Sequence, residues 1–285
     1  WSCRGSFGNR KNIMIDLPSS IGKAALEALQ ATNADDKVKL TFKGSQAWFN
    51  GELEFKFAES APKRPGRPKI PELLLPKDMP RRRNAKAKAA RVAMLHAISH
   101  IELNAIDLAW DIVLRFGGDM PRDFSDDWIK VADDEARHFK LLEERLNEFD
   151  SFYGALPAHD GLWQSAESTA QDLLARLAIV PMVLEARGLD VTPGLINKFK
   201  SAGDQKSVEA LEVIYTEEID HVKAGHKWFN FLCKKEQIDP HDTFQQLVKK
   251  YFAGHLKPPF NTKARNDAGL FEAFYLPLVT TEHSS

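Results

Sequence analysis

Glu135-Ala-Arg-His138 and Glu218-Ile-Asp-His221 are two copies of one pattern, Glu-x-x-His, each set inside a long helical period of apolar residues. Three residues apart on a helix, a carboxylate and an imidazole leave the same face one turn apart. One such pair arises often by chance. Here each is preceded by a further glutamate at a matched distance, because Glu102 lies 33 residues before Glu135 and Glu185 lies 33 before Glu218. The chain therefore reads as two helical hairpins, each with Glu on its first helix and Glu-x-x-His on its second. Four carboxylates and two imidazoles turned inward between four helices form a ligand set for two cations.

The neighbours of each acid support that placement. Leu95, Ile98, Ala105, Ile106, Ala109 and Val113 share a face with Glu102, while Trp128, Val131, Phe139, Leu142 and Leu146 share one with Glu135. Leu174, Leu177, Ala178 and Met182 lead up to Glu185, and Leu211, Ile214, Val222, Gly225 and Phe229 surround Glu218. Each acid thus interrupts an apolar stripe where a buried core belongs. An unpaired buried carboxylate is costly, so such acids need a proton, a cationic side chain or a metal. The competing reading is a buried salt-bridge network through Arg137, Arg187 or Arg91. Arg137 and Arg187 stand two residues from their glutamates, on other faces of the helix, and Arg91 is three turns from Glu102. A metal centre accounts for all six positions together.

Composition sets the frame. Of 285 residues, 28% are charged and 43% hydrophobic, and the net charge is −1, so nothing global points to nucleic acid or membrane. Cys3 and Cys233 are the two cysteines, too few for a disulfide framework. No apolar run approaches the roughly 20 residues of a spanning helix, and Trp1–Gly8 has no signal-peptide core. A cytoplasmic protein is expected.

Residues 1–83 read as an N-terminal segment. Ile21 to Leu29 forms a short amphipathic helix. Beyond it Val38, Leu40 and Phe42, then Leu53, Phe55 and Phe57, alternate with polar residues and predict a short β-hairpin, with a helix over Asp35 to Trp48 as the alternative. A Pro- and base-rich connector follows from Ala61 to Arg83. Residues 84–234 predict the bundle: helix one Asn84–Phe116, stopped by Gly117-Gly118; helix two from Ser125 to Phe149; helix three from Ser165 to Arg187, closed by Gly188; and helix four from Ser207 to Lys234. A short helix from Thr192-Pro193 through Phe199 lies between the last two. The join from Phe149 to Ser165 is long enough to cross the bundle end. Residues 235–285 predict a last helix, Asp242–Phe252, and a tail. The fold class is all-α.

With those residues in view, a resemblance can be named. Lys77-Asp-Met-Pro-Arg-Arg-Arg83, His96-Ala-Ile-Ser-His-Ile-Glu-Leu-Asn-Ala-Ile-Asp107, Ala132-Asp-Asp-Glu-Ala-Arg-His-Phe139 and Leu156-Pro-Ala-His-Asp-Gly-Leu-Trp163 resemble stretches of a mostly bacterial, ferritin-like family of unknown function. Glu185-Ala-Arg-Gly-Leu-Asp-Val-Thr-Pro193 and Glu217-Glu-Ile-Asp-His-Val222 resemble it as well. The resemblance implies a ferritin-like four-helix bundle with extra N- and C-terminal helices, and carries over Glu102, Glu135, His138, Glu185, Glu218 and His221 as metal ligands. In the expected arrangement Glu102 and His138 hold one metal, Glu185 and His221 the other, and Glu135 and Glu218 bridge.

Carboxylate and imidazole together suit iron first, then manganese or a mixed pair. Three classes of function follow: an O₂-activating oxidase or hydroxylase, as in the tRNA-modifying hydroxylases that the scaffold resembles; metal handling or peroxide scavenging; and a metal that only fixes the fold. The long segments flanking the bundle suggest a covered pocket and favour the first, with a small-molecule or RNA substrate and an electron donor as partners. A sealed site would favour peroxide chemistry instead. Tyr215, three residues before Glu218, is a candidate hydrogen-bond donor to the site, against an ordinary core tyrosine. His96 and His100 are candidate partners of Glu102. Asp134, Glu217 and Asp220 flank the ligands and are read as facing other helices or solvent, with one of them as a candidate for orienting a ligating imidazole. Pro181 predicts a kink one turn before Glu185. The basic connector (Lys63, Arg64, Arg67, Lys69, Lys77, Arg81, Arg82, Arg83, Lys86, Lys88) is read as a solvated arm, with RNA binding as the alternative.

Overall fold

A computed structural model describes residues 17–79 and 87–279 of the chain. It is mostly helical, with no strand among the described residues. Helices α1 (Ile21–Gln30) and α2 (Ala34–Phe49) start on Ser20 and Asn33, whose side chains accept from the amides of Lys23 and Asp36. The predicted hairpin is thus replaced by helix through Val38, Leu40 and Phe42, while Leu53, Phe55 and Phe57 lie in irregular chain beside α1. The reason is the buried face of α2, where Lys37, Thr41, Gly44 and Ser45 stand among the apolar Val38, Ala47 and Trp48 and break up the hydrophobic period. Lys37 meets Asp107 at 2.5 Å, Thr41 accepts from the Trp110 indole at 3.0 Å, and Ser45 donates to Asp133. A helical period written partly in polar residues escapes a search for hydrophobic ones.

Four long helical segments carry the core. Helix α3 (Lys88–Phe116) packs along α4 (Arg122–Glu148), and α4 packs in turn on α8 (Gln205–Glu236). The remaining segment is α6 (Leu173–Ile179), a π-helical turn (Val180–Glu185) and α7 (Ala186–Ser201), lying against α8. Between α4 and α6 the chain does not cross the bundle end but runs along α3, from Asp150 beside Lys88 and Gly154 on His96 to α5 (Gly161–Ser168), whose Trp163 packs with Leu108. This third long helix differs from the sequence reading. It starts at Leu173 on an Asp172 cap, and it does not stop at Gly188 but runs through Pro193 to Ser201. Pro181 produces a π turn rather than a simple kink, since it has no N–H to close the ordinary ladder. Its ring seats against α8 at Gly225, where a Cβ would stand 2.4 Å from the proline ring.

Helix α9 (Pro240–Tyr251) follows close to expectation, and two short helices not read from sequence, α10 (Thr262–Asp267) and α11 (Glu272–Tyr275), pack beyond it. One hydrophobic core links Ile21 of α1 to Tyr275 of α11. The start of helix one at Asn84, Cys3 and the basic residues Arg81, Arg82, Arg83 and Lys86 lie outside the described residues. No helix among the described residues is long and apolar enough to cross a membrane.

Candidate metal centre

Each glutamate reaches the centre because its helix buries the stripe that contains it. Carboxylate and imidazole atoms of Glu102 (α3), Glu135 and His138 (α4) and Glu218 (α8) lie within 4.8 Å of one another, a group that could hold a metal ion. His221 adds to it from α8: its Nδ1 is 3.1 Å from Glu135 Oε1 and 3.9 Å from Glu218 Oε2. His138 Nδ1 stands 3.3 Å from Glu102 Oε2 and 3.4 Å from Glu135 Oε2. The two imidazole rings face the same interior, 5.8 Å apart. Glu185 comes from the end of the π turn, and its Oε2 is buried there without a hydrogen-bond partner.

The donor set passes a simple test of fit. Both oxygens of Glu135, one each of Glu185 and Glu218, and Nδ1 of His221 are buried and lack hydrogen bonds. Buried polar atoms are nearly always satisfied, so this concentration of orphan donors around one point asks for a cation. Without one, protons must take its place. Burial, then the charge of Glu135, pushes Glu102 up to about 8. The same two causes push Glu185 up to about 7 and Glu218 well above the usual carboxylate range. Burial works against ionised Glu135 too, but the adjacent His138 and His221 imidazoles hold it well below that range. Both histidines are raised well above their ordinary value, their carboxylate partners outweighing burial.

The outer nitrogen of each imidazole is held by the opposite hairpin. His138 Nε2, on α4, is 2.6 Å from Glu217 Oε2 on α8, and His221 Nε2, on α8, is 3.3 Å from Asp134 Oδ2 on α4. Arg137 joins the two outer acids, donating to Asp134 at 2.5 Å and to Glu217 at 2.9 Å. An acid on the far nitrogen fixes the ring and leaves Nδ1 for a cation. The signal was present as the acidic doublets Asp134-Glu135 and Glu217-Glu218, each four residues from its own hairpin's histidine, but the exchange between hairpins needs the packing of α4 on α8. Asp220 instead lines a cleft on that face with Lys130, Lys223 and Lys227.

Other candidates are placed elsewhere. The Tyr215 hydroxyl accepts from Asn261 Nδ2 at 2.7 Å, on the C-terminal segment, rather than joining the carboxylates. His96 Nε2 accepts from the Gly154 amide and His100 bonds the Tyr153 hydroxyl at 2.8 Å, so both hold the crossover chain and not Glu102. Arg91 pairs with Asp204 and Arg187 with Asp190 and the carbonyl of Lys257. In the connector, Arg67 is drawn in to Asn104 and Asp107, Arg64 pairs with Asp160, Lys63 with Glu167 and Lys88 with Asp150. Each of these four basic residues is paired with an acid of the fold.

A cavity of about 240 Å³ separates α3 from the π turn and α7. Glu102, Glu135, Glu185 and Glu218 form one end of it, and the rest of its wall is aliphatic apart from Arg187 and Thr192. Ile101 and Val191, which are 47% and 39% exposed, stand at its outer edge and mark the opening to solvent.

No solved structure matches the chain. Over 208 residues it is 42% identical to an uncharacterized protein of Haemophilus influenzae, an alignment covering 71% of this chain and 72% of that one. Residues 30–276 match the family described as Protein of unknown function (DUF455), and with so much of its length inside that match the chain belongs to the DUF455 family.

Proposed function

We propose that the chain is a dinuclear metal-carboxylate oxidase or hydroxylase that uses O₂ on a small, largely apolar molecule. On this reading residues 84–234 are a ferritin-like four-helix bundle. Glu102 and His138 would hold one metal and Glu185 and His221 the second, with Glu135 and Glu218 available to both. Iron is the first expectation, manganese or a mixed pair the next. A redox-active pair would supply electrons to O₂ and open coordination positions beside the substrate.

The cavity is the observation that carries the proposal. Peroxide scavenging or metal storage needs room for water-sized species only, whereas this site ends an aliphatic chamber large enough for an organic molecule. The chain's own groups support the same reading. Asp134 and Glu217 orient the imidazoles, and the aliphatic wall keeps bulk water from the reacting atoms. An electron donor is required to return the metals to their reduced state between turnovers.

The test is a metal analysis of the purified protein followed by anaerobic reduction and mixing with O₂. Reduced di-iron protein should oxidise within seconds, read as new near-ultraviolet absorption. Iron-loaded protein that stays colourless in air for hours would overturn the oxidase reading and leave a metal that only braces the fold, where zinc would serve as well.

A further inference from the structure

Gly188 sits in the first turn of α7, inside the continuous helical segment 173–201, and no close packing or positive φ calls for a glycine there. Its φ is not positive, and a Cβ built there would meet no atom within 4 Å. Glycine inside a helix costs about 1 kcal/mol relative to alanine, so this position carries a penalty with no packing return. It lines the 240 Å³ cavity, and any longer side chain there would project into that space.

Arg187, next to it, contributes the one cationic group to the cavity wall. It is anchored through Nη1 by the carbonyls of Lys257 and Pro259, and its side chain remains 44% exposed. Arg187 and Leu184 also line a second cavity of about 150 Å³, whose wall adds His255 and Lys257. The two spaces therefore meet at Arg187. On one side lies an aliphatic chamber ending on acids, and on the other a smaller, largely apolar space in which Lys257 stands beside Arg187 and Arg265, both paired with Asp190. A guanidinium fork matches a carboxylate or phosphate, and a cation at the edge of an apolar chamber favours an anion whose body is apolar.

We infer that this paired cavity is the substrate site and that it takes an amphipathic anion: an aliphatic body lying over Gly188 toward the glutamate cluster, with an acidic headgroup at Arg187 and Lys257. The inference deepens the oxidase reading and rests on it for the word substrate, but binding can be measured without turnover.

Isothermal titration calorimetry with octanoate, octyl phosphate, octanol and octylamine, on the purified full chain before and after chelation of metal, tests it. Octanoate or octyl phosphate should bind more tightly than octanol, and octylamine most weakly; the better of the two anions identifies the headgroup. Arg187→Gln should weaken the preferred anion roughly tenfold, about 1.4 kcal/mol, and leave octanol unchanged. Gly188→Leu should abolish binding of all the probes while metal content and helical circular dichroism stay as in the parent. Anion binding that survives Arg187→Gln but vanishes on chelation would place the headgroup on the metals and overturn the assignment. Unchanged binding in Gly188→Leu would overturn the cavity itself. Anion binding as expected in a protein inert to O₂ would sink the oxidase proposal and leave the ligand site standing.

Discussion

The two hairpins carry the same residues at the same spacing, yet they are built differently. In the first, α3 runs as unbroken α-helix through Glu102, which is 2% exposed and lies beside Glu135 and His138. In the second, the equivalent helix is interrupted by a π turn that ends on Glu185, and His221 stands 3.9 Å from Glu218. Helices α1 and α2 cover the outside of the first hairpin's helices, whereas a cavity opens beside the second hairpin's π turn. Both halves place carboxylates at the end of that cavity, but the first half is the tighter set, with His138 3.3 Å from Glu102 and 3.4 Å from Glu135, and the second the looser. On the proposed reading the tighter set should bind its ion more strongly.

Substitution tests that contrast most severely at its shared member. Glu135→Ala removes the carboxylate that touches both histidines, and metal analysis should find both ions lost. Glu218→Ala should do the same if it too is shared. Next in size, Glu102→Ala and Glu185→Ala should differ. Titration of chelated protein with iron under anaerobic conditions should show Glu185→Ala keeping the tighter of two binding steps and Glu102→Ala losing it. Equal losses from the two variants would erase the distinction between the halves.

The orienting acids give a smaller effect. Asp134→Asn and Glu217→Gln should each weaken metal binding roughly 10- to 100-fold, through His221 and His138 respectively. A larger effect from Glu217→Gln is expected, since its histidine belongs to the tighter half. Stability against pH provides a subtler check. Glu102 at about 8 and Glu185 at about 7 retain protons that an unfolded chain releases near 4.5, and the raised histidines retain protons released near 6.5. The folded, metal-free protein therefore binds more protons between pH 5 and 8, and its denaturation midpoint should fall as pH rises across that window. Metal-loaded protein should show the opposite slope, because its ligands bind as deprotonated groups. Parallel slopes would mean that no cation replaces those protons. Least of all, Tyr215→Phe removes the bond to Asn261, should cost about 1 kcal/mol, and should leave the rate of oxidation by O₂ untouched. A slowed oxidation would return Tyr215 to the site.

What could be read from sequence followed from periodicity and residue type. The juxtaposition of Glu102, Glu135, His138 and Glu218 was legible because an acid inside an apolar stripe is expensive and a histidine one turn away explains it. Glu185 was legible by repetition alone. Helix α2 was read only as the alternative to a hairpin, since the polar part of its buried face is satisfied by Asp107, Trp110 and Asp133, partners at least 69 residues further along the chain. Gly188 and Pro193 read as punctuation, and neither stops α7, which is held by packing against α8 on one side and by the contacts of Arg187 and Asp190 with the C-terminal segment on the other. A covered pocket was expected from the flanking segments, but its place and shape were not legible, because they depend on a turn widened at Pro181 and on what Gly225 allows opposite it.

The exchange of outer acids between α4 and α8 has a consequence for ancestry. A lone helix bearing acid-Glu-x-x-His carries both the histidine that needs an orienting acid and the acid that another such helix needs. Two identical copies placed antiparallel would complete each other without any new residue. Such a hairpin is self-complementary by construction, and in this chain each copy supplies the grip on the other's imidazole, so a change in one is felt in both.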